Sequence, residues 1–256
     1  MMAAKKALDL FRTPVKRQKK QLPVIFHHAE QLQFGLENIL IRGYRWNHPA
    51  DKKILIVHGF QSSVFNFSHF IHPLVAKHYE VLAFDAPAHG NSGGKTITAP
   101  LFAKMIRTIH EQFGPVQSYL AHSFGGLAVS LAMEDIHHDE SYKIVFIAPA
   151  TETKTAIDQF FHHLRLNARV RAEFDKLIAE IGGHPAEWYS IYRAAMNIHA
   201  HILWIHDEDD VQTPIADALK LKNENPDNIT FVITNGLGHR RIYRDAEAVK
   251  KVLEFL

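Results

Sequence analysis

Six short and almost continuously apolar runs recur along the chain, and segments with helical periodicity separate them. The apolar runs cover residues 54–57, 80–84, 118–121, 143–147, 202–205 and 229–233. The helical segments cover residues 65–77, 99–113, 125–134, 215–221 and 245–255. Apolar runs without polar alternation are typical of strands that are covered on both faces. The pattern therefore predicts an α/β fold with a mostly parallel central sheet and helices on both faces.

Two segments depart from this alternation. Residues 31–46 contain two strand patterns joined near Glu37 and Asn38, which predicts an antiparallel hairpin at the sheet edge. Residues 151–197 contain no strand pattern, and their helical patterns cover residues 156–166, 169–181 and 185–196. A helical insertion of this size between two core strands predicts a cap. The expected domains are a core of residues 21–150 and 198–256 and a cap of residues 151–197.

The first twenty residues are rich in positive charge. Seven basic side chains lie between positions 5 and 20, against the single acid Asp9. An anionic membrane surface could attract such a segment. Because no broad apolar face accompanies the charges, residues 1–20 are interpreted as a solvated basic arm. No apolar run is long enough for a signal-peptide core or a membrane-spanning helix, so a cytoplasmic protein without integral membrane association is expected.

Composition excludes several classes of function. The 256 residues include 29 Lys and Arg against 27 Asp and Glu, a net charge of +2, whereas nucleic-acid binders usually carry a basic excess. Cysteine is absent, which excludes disulfides, thiolate metal sites and cysteine nucleophiles. Nineteen histidines include adjacent pairs, but adjacent side chains diverge and no HExxH motif is present. Neither a nucleic-acid partner nor a metal or organic cofactor is expected.

The junction at residues 119–127 carries the strongest chemical signal. Ser123 lies between Ala121 and Gly125 at the end of an apolar strand, and a helix of small residues begins directly after it. Small residues are needed where a strand turns so sharply into a helix that a larger Cβ would collide with the backbone. Such a turn lifts the serine hydroxyl above the sheet, close to a helix N-terminus. The junction predicts a catalytic serine, and tight packing at the turn is the alternative explanation.

This junction resembles the nucleophile elbow of the α/β-hydrolase superfamily, with Ala121 in place of the first glycine of G-x-S-x-G. Residues 57–61, Val-His-Gly-Phe-Gln, are similar to the His-Gly oxyanion segment of that family. The resemblance implies an α/β-hydrolase fold with a helical cap insertion. It also implies an oxyanion hole formed by the backbone N–H groups of Phe60 and Phe124.

A third segment, residues 85–92, resembles the D-x-x-G-H-G-x-S loop of the same family. Ala88 occupies the position of its first glycine. We interpret this loop as structural, because its Asp85 and Ser92 side chains can hydrogen-bond loop amides at the edge of the site.

The predicted catalytic acid lies in residues 205–214, which resemble the H-G-x-x-D-x-x-x-P loop of the family. Alignment to the final proline places the acid at Asp210. Asp207 and Asp209 in the same acidic loop are alternatives. Some family members carry the acid after the preceding strand, where Asp158 is the nearest candidate.

The predicted base is His239, in the Gly-rich loop of residues 234–241 that precedes the last helix. The chain order Ser123, Asp210, His239 is the order expected for this fold. The resemblance implies that His239 accepts the Ser123 proton and that Asp210 stabilises the resulting imidazolium. It thus implies a serine hydrolase that cleaves carboxylic esters with small or medium acyl groups through an acyl-enzyme.

The cap would cover the site and determine which small acyl substrate binds. Its candidate pocket residues are large and mostly aromatic: Phe160, Phe161, Leu164, Trp188, Tyr189 and Tyr192. Their alternative role is to form the cap's own core. Serine at position 123 excludes the superfamily branches that use an aspartate nucleophile, the haloalkane dehalogenases and epoxide hydrolases.

Other activities share the same motifs. A thioesterase, a carbon–carbon bond hydrolase or an acyltransferase would use the same triad, because only the pocket differs. A ligand-binding protein on the hydrolase fold, without catalysis, is the alternative from a different class. A membrane-associated lipase is a third class, which only the basic arm favours.

Overall fold

The computed structural model describes residues 1–15, 22–224 and 226–256. Within these residues, the strands are β1 Glu30–Leu36, β2 Ile39–Trp46, β3 Lys52–Val57, β4 Tyr79–Phe84, β5 Ser118–His122, β6 Lys143–Ile147, β7 His201–Asp207 and β8 Ile229–Thr234. They form one sheet in the order β1-β2-β4-β3-β5-β6-β7-β8. In this order, every neighbouring pair from β4 onward is parallel. The pairs β1 with β2 and β2 with β4 are antiparallel. The predicted α/β class and the edge hairpin are confirmed.

Helices connect the strands on both sides of the sheet. The α-helices are α1 Met2–Arg12, α2 Ser68–Ala76, α3 Ala99–Phe113, α4 Phe124–Met133, α5 Thr153–His163, α6 Ala168–Gly182, α7 Ile191–Ala195, α8 Ile215–Asn223, α9 Gly238–Arg241 and α10 Ala246–Phe255. Short 3-10 helices cover Val24–His28, Val64–Phe67, Ala186–Trp188 and Ile242–Arg244. Among the described helices, none combines the length and the apolar character needed to cross a bilayer.

Alternate side chains of the central strands enter two separate cores. In β3, Leu55 and Val57 contact the core under α3 and α4, whereas Ile54 and Ile56 contact the core under α2 and α10. Side chains of successive strand residues point to opposite faces of a sheet. Burial on both faces explains why β3 reads as a continuous apolar run.

The segment between β6 and β7 is helical, but its third predicted helix is interrupted. Residues 185–196 form a 3-10 turn and the short α7 instead of one helix. Ser190, between them, has an extended backbone and pairs with Glu152 in an isolated antiparallel β-bridge. Its hydroxyl also accepts a hydrogen bond from the N–H of Arg193 and so caps α7. Pairing with Glu152 and helix capping both require a non-helical Ser190.

The N-terminal segment differs from the predicted solvated arm. Helix α1 buries Ala4, Ala7 and Leu8 against α6, and Phe11 packs edge-to-face on Phe174. These residues recur at helical spacing, and the two alanines allow a close approach of the helices. The apolar stripe is narrow, which is why the surrounding charges obscured it. Four of the basic residues of the predicted arm, Lys16, Arg17, Lys19 and Lys20, lie outside the described residues.

Buried polar side chains tie together the loops that follow β3 and β4. Asp85 accepts hydrogen bonds from the N–H groups of Val64 and Asn91. Ser92 donates its hydroxyl proton to the carbonyl of Asp85. The predicted structural role of Asp85 and Ser92 is confirmed, because both hold the loop backbone beside the carboxyl ends of the strands.

Two buried histidines hold the same loops in their neutral form. His58 Nε2 accepts from the N–H of Ala86, and His89 Nε2 accepts from the N–H of Gln61. An imidazolium has no free lone pair, so protonation would break each bond. Burial lowers the pKa of both His58 and His89 to about 4. Both rings are therefore neutral in the folded protein at neutral pH, as their hydrogen bonds require.

Folding stability should fall as the pH drops from 7 to 4.5. Unfolded histidines take up protons near their ordinary pKa of about 6.5, whereas folded His58 and His89 resist protonation until about pH 4. The unfolded state then binds more protons, so acid favours it. Burial raises the pKa of Asp85 to about 6, which opposes only part of this effect. Urea unfolding across this pH range should show that the free energy of unfolding decreases by a few kcal/mol.

Two variants separate this cause from general acid instability. His89→Gln should flatten the pH dependence of the unfolding free energy, because the amide oxygen can still accept and does not titrate. His27→Gln replaces an exposed histidine and should leave the curve unchanged. A wild-type stability that stays constant or rises toward pH 4.5 would contradict the burial of neutral histidines.

Candidate active site

The turn between β5 and α4 places Ser123 at the carboxyl edge of the sheet. Ser123 has φ 55° and ψ −125°, a conformation that costs a non-glycine residue about 1–3 kcal/mol. A Cβ at Gly125 would lie 2.6 Å from the carbonyl oxygen of Val57, and one at Gly126 would lie 2.6 Å from Cβ of Pro149. Only glycine fits at either position. The small residues of the motif therefore allow the turn that presents the Ser123 hydroxyl.

The structure brings the three predicted catalytic residues into one hydrogen-bonded row. His239 Nε2 lies 3.0 Å from Oγ of Ser123, and His239 Nδ1 lies 2.7 Å from Oδ2 of Asp210. With the imidazole proton on Nδ1 toward the carboxylate, Nε2 accepts the hydroxyl proton of Ser123. All three side chains are almost completely buried. The arrangement can transfer a proton from a serine to a histidine that a carboxylate stabilises.

The loop after β7 holds the Asp210 carboxylate as an acceptor. Its oxygens accept from the N–H groups of Gln212 and Thr213 and from the Thr213 hydroxyl. Burial alone would raise the pKa of Asp210, but these hydrogen bonds and His239 outweigh it and bring the pKa below its ordinary value. Asp210 is therefore ionised at neutral pH and paired with His239 Nδ1.

His206, at the end of β7, holds the backbone of the same loop through hydrogen bonds. The indole of Trp204 donates to His206 Nδ1, and His206 Nε2 donates to the carbonyl of Thr213. Burial lowers the pKa of His206. This neutral ring links β7 to the backbone beside Asp210.

The other candidate acids serve different partners. Asp207 accepts from the N–H groups of Leu237 and Gly238 and thereby holds the loop that carries His239. Asp209 accepts from the N–H of Gly236 in the same loop. Asp158 lies on α5, where it pairs with Lys154 and Arg171. Of the four aspartates, Asp210 is the one in contact with His239.

The two predicted oxyanion donors flank Ser123. Phe124 is the first residue of α4, where a backbone N–H has no acceptor within its own helix. Phe60 follows Gly59, whose position is so close to the serine that an added Cβ would lie 2.7 Å from Cβ of Ser123. Both Phe60 and Phe124 line the same cavity as Ser123. The two residues predicted to supply the oxyanion hole thus lie at the cavity that Ser123 faces.

His122 is a buried neighbour of the site that the sequence analysis did not single out. Its Nε2 donates to the carbonyl of His239 at 3.0 Å, and the two rings lie 4.7 Å apart. Burial lowers the pKa of His122 to about 3, so the ring stays neutral. The second residue of A-H-S-F-G, His122, thus positions the backbone of the candidate base. Its proximity to Ser123 in sequence was the available signal.

A cavity of about 760 Å³ opens onto Ser123 and His239. Helices α5 and α6 contribute Phe160 and Ile178 to its walls, and Leu164 directly after α5 also lines it. Three of the predicted pocket residues, Phe160, Leu164 and Tyr189, therefore line the cavity. The walls are mainly apolar, which suits an acyl chain or another apolar group.

The remaining predicted pocket residues lie elsewhere. Phe161 packs edge-to-face on Phe174 in the core between α1, α5 and α6. Trp188 is stacked between His184 and the guanidinium of Arg193. Tyr192 donates its hydroxyl proton to Glu224. Their placement in the pocket was wrong, because intramolecular packing occupies all three rings.

The N-terminal segment supplies walls that the sequence analysis missed. Leu8, Leu10 and Phe11 of α1 line the cavity, together with Thr13 and Val15 beyond the helix. The N–H of Ile97 donates to the carbonyl of Arg12 and joins this segment to the core. The helical spacing of Ala4, Ala7 and Leu8 was the signal that could have revealed it.

Charged side chains near the cavity are mostly positive. Among the described residues, Arg12, Arg240 and Arg244 contribute to its lining, against the single acid Glu152. Glu152 accepts the hydroxyl proton of Ser190, and burial raises its pKa. The charge balance of the described lining therefore favours neutral or anionic groups over cationic ones.

Solved structures share this fold along most of the chain. An esterase of Pyrococcus furiosus, Pf2001, is 18% identical and matches with a TM-score of 0.70 over 95% of this chain and 95% of its own. Alpha/beta hydrolase domain-containing protein 10 from mouse is 14% identical, with a TM-score of 0.64 over 88% and 96% of the two chains. At this level of identity the likeness shows the fold alone.

A sequence relative is known from Bacillus subtilis strain 168, an uncharacterized hydrolase called YugF. It is 31% identical over 107 residues, which span 40% of this chain and 39% of the relative. The chain thus matches well under half the length of that relative.

A family model gives the broadest sequence match. The model described as serine aminopeptidase, S33, matches residues 48–188, which is more than half of the 256 residues. The matched region contains the Phe60 and Ser123 loops, and the eight-stranded fold agrees with it. The chain therefore belongs to the serine aminopeptidase S33 family of the α/β-hydrolase superfamily.

Proposed function

We propose that this hydrolase cleaves carboxylic esters of small or medium acyl chain length through an acyl-enzyme on Ser123. The observation that carries the proposal is the hydrogen-bonded row of Ser123, His239 and Asp210 on the wall of an apolar cavity. A nucleophile, a base and an orienting carboxylate are the parts that acyl transfer requires.

Acylation would begin when Ser123 Oγ attacks the ester carbonyl carbon. His239 Nε2 accepts the hydroxyl proton, and Asp210 stabilises the imidazolium through Nδ1. Collapse of the tetrahedral intermediate breaks the bond to the alcohol oxygen, which takes the proton from His239. Water activated by the same imidazole then attacks the acyl-enzyme and releases the carboxylic acid. These steps require no metal ion or organic cofactor.

The oxyanion of each intermediate would lie between the amides of Phe60 and Phe124. One such donor typically lowers the barrier by about 3–4 kcal/mol, because it is already oriented before charge develops. The close approach of Gly59 to Ser123 supports this assignment.

We propose that α5, α6 and α1 together form a cap over the acyl site. Phe160, Leu164 and Phe11 contribute apolar walls, and the 760 Å³ cavity has room for more than an acetyl group. An aminopeptidase needs a carboxylate for the substrate's free ammonium group, and Glu152 is the only acid in the described lining. The Glu152 carboxylate is already hydrogen-bonded to Ser190, and the arginines of the lining would repel an ammonium group. Both features favour esters over free peptides as substrates.

Ser123→Ala should remove turnover of a p-nitrophenyl ester series while the melting temperature stays within a few degrees, because the hydroxyl contributes little packing. Wild-type rates should peak at a medium acyl length, and aminoacyl p-nitroanilides should be poor substrates. The exposed Ser141→Ala is the matched control and should retain full activity. Ester turnover by folded Ser123→Ala at the wild-type rate would reject the nucleophile assignment.

Asp210→Asn should lower kcat for the best ester by about 10³–10⁴-fold, because the histidine loses the partner that fixes its tautomer. Asp209→Asn and Asp158→Asn are controls that should stay within a few-fold of wild type, since neither carboxylate contacts His239. Steady-state kinetics at neutral pH measure all three. A normal rate for Asp210→Asn, or a large loss for either control, would move the acid to another residue.

Gly59→Ala should lower kcat by about 10²-fold or more, as loss of an oxyanion donor does. The added methyl group would lie 2.7 Å from Cβ of Ser123 and must displace the Phe60 loop. Gly35→Ala, where an added Cβ meets nothing within 4 Å, controls for the substitution itself. Unchanged ester kinetics in Gly59→Ala would argue against an oxyanion hole at Phe60.

A further inference from the structure

We propose that the mouth of the cavity is a docking surface for an anionic lipid bilayer. Exposed apolar side chains surround the mouth, and positive charges flank them. Docking requires no catalysis, so this proposal goes beyond the proposed ester hydrolysis and can be tested in a chain that is inactive.

The apolar part of this surface consists of four side chains that both line the cavity and face solvent. They are Leu10 at 57% exposure, Val15 at 66%, Leu164 at 39% and Ile181 at 49%. An exposed side chain that also lines a cavity lies at its mouth. Scattered single apolar residues are normal on protein surfaces, but four around one opening form a patch that binding would remove from water.

The four residues come from three different elements. Leu10 and Val15 belong to α1 and the segment after it, Leu164 follows α5, and Ile181 is in the last turn of α6. Packing of α1 on α6 brings these elements together around the cavity. The patch is therefore a product of the tertiary structure and not of one amphipathic helix.

Positive charges adjoin the patch on two sides. Arg240 and Arg244 are exposed and line the cavity beside the candidate base. Lys5 and Lys6 are exposed on α1. Basic residues near a bilayer that contains anionic lipids each add to the attraction.

Most acids of this region already have partners, whereas Glu180, exposed beside Ile181 on α6, has no ion pair in the described part of the chain. Asp9 pairs with Arg12, and Glu152 is hydrogen-bonded to Ser190 inside the cavity. On the outer surface of α5 and α6, Asp158 and Asp175 both pair with Arg171. The balance of charge at the mouth thus favours an anionic surface.

An anionic bilayer fits this mouth better than a second copy of the chain. Two mouths facing each other would bring like charges together, including Arg240 and Arg244 of each copy. A bilayer accepts apolar side chains into its acyl region while its head groups contact the flanking cations. It would also present apolar acyl chains at the opening of an apolar cavity.

The test is co-sedimentation with vesicles in the Ser123→Ala background, so that lipid is not consumed. We expect binding to vesicles that contain phosphatidylglycerol, weak binding to pure phosphatidylcholine vesicles and a decrease with added salt. Val15→Ser should weaken binding to the anionic vesicles about fivefold, because one apolar contact is lost. Leu10→Ser combined with Val15→Ser should weaken it further.

Val24→Ser is the matched control. Val24 is 74% exposed and does not line the cavity, so its replacement should leave vesicle binding unchanged. Thermal unfolding checks that each variant is folded. Equal binding to both vesicle types, no binding to either, or equal losses in Val15→Ser and Val24→Ser would overturn the proposal. Absence of ester turnover in the wild type would contradict the proposed function and leave this result unaffected.

Discussion

The backbone turn at Ser123 is the constraint on which the rest of the site depends. Its φ of 55° is unfavourable for a serine, and the turn exists because Gly125 and Gly126 allow β3 and the loop after β6 to approach within van der Waals distance. The parallel sheet supplies the complementary condition. Since β3, β5, β7 and β8 run in the same direction, their carboxyl ends place the oxyanion loop, the serine, the aspartate and the histidine along one edge.

Neutral buried histidines hold the loops at that edge. His58 and His89 each accept a backbone N–H, and His122 donates to the carbonyl of His239. These rings are rigid and polar. They form hydrogen bonds with backbone N–H and carbonyl groups of the loops, which a purely apolar core would leave without partners. The same contacts that position the candidate active site therefore make the fold sensitive to acid. Much of the unusual histidine content of the chain remains on the surface and has no such role.

The sequence was most informative where local chemistry determines structure. The apolar runs identified the six parallel strands. The spacing of small residues around Ser123 located the turn, because a tight turn excludes larger side chains whatever surrounds it. Alignment to a proline selected Asp210 among four nearby acids, and it is Asp210 that contacts His239. The catalytic roles of these residues stay predictions until activity is measured.

Side-chain destinations were less predictable, since they depend on tertiary packing. Phe160 and Phe161 are neighbours in sequence, yet Phe160 lines the cavity and Phe161 is buried among the helices around it. Helix α1 was hidden by its charges, because its buried stripe consists largely of two alanines and a leucine. A narrow apolar stripe is enough to pack α1 against α6, because α6 presents the large aromatic side chain of Phe174.

Covalent labelling with a fluorophosphonate, followed by mass spectrometry of the digested protein, tests whether Ser123 is an activated nucleophile. Such probes react with serines whose hydroxyl is activated by a neighbouring base and whose oxyanion is stabilised. One adduct is expected, on the peptide that contains Ser123, and it should be lost when His239 is replaced by alanine. A folded protein that stays unlabelled, or one labelled at a different serine, would contradict this expectation.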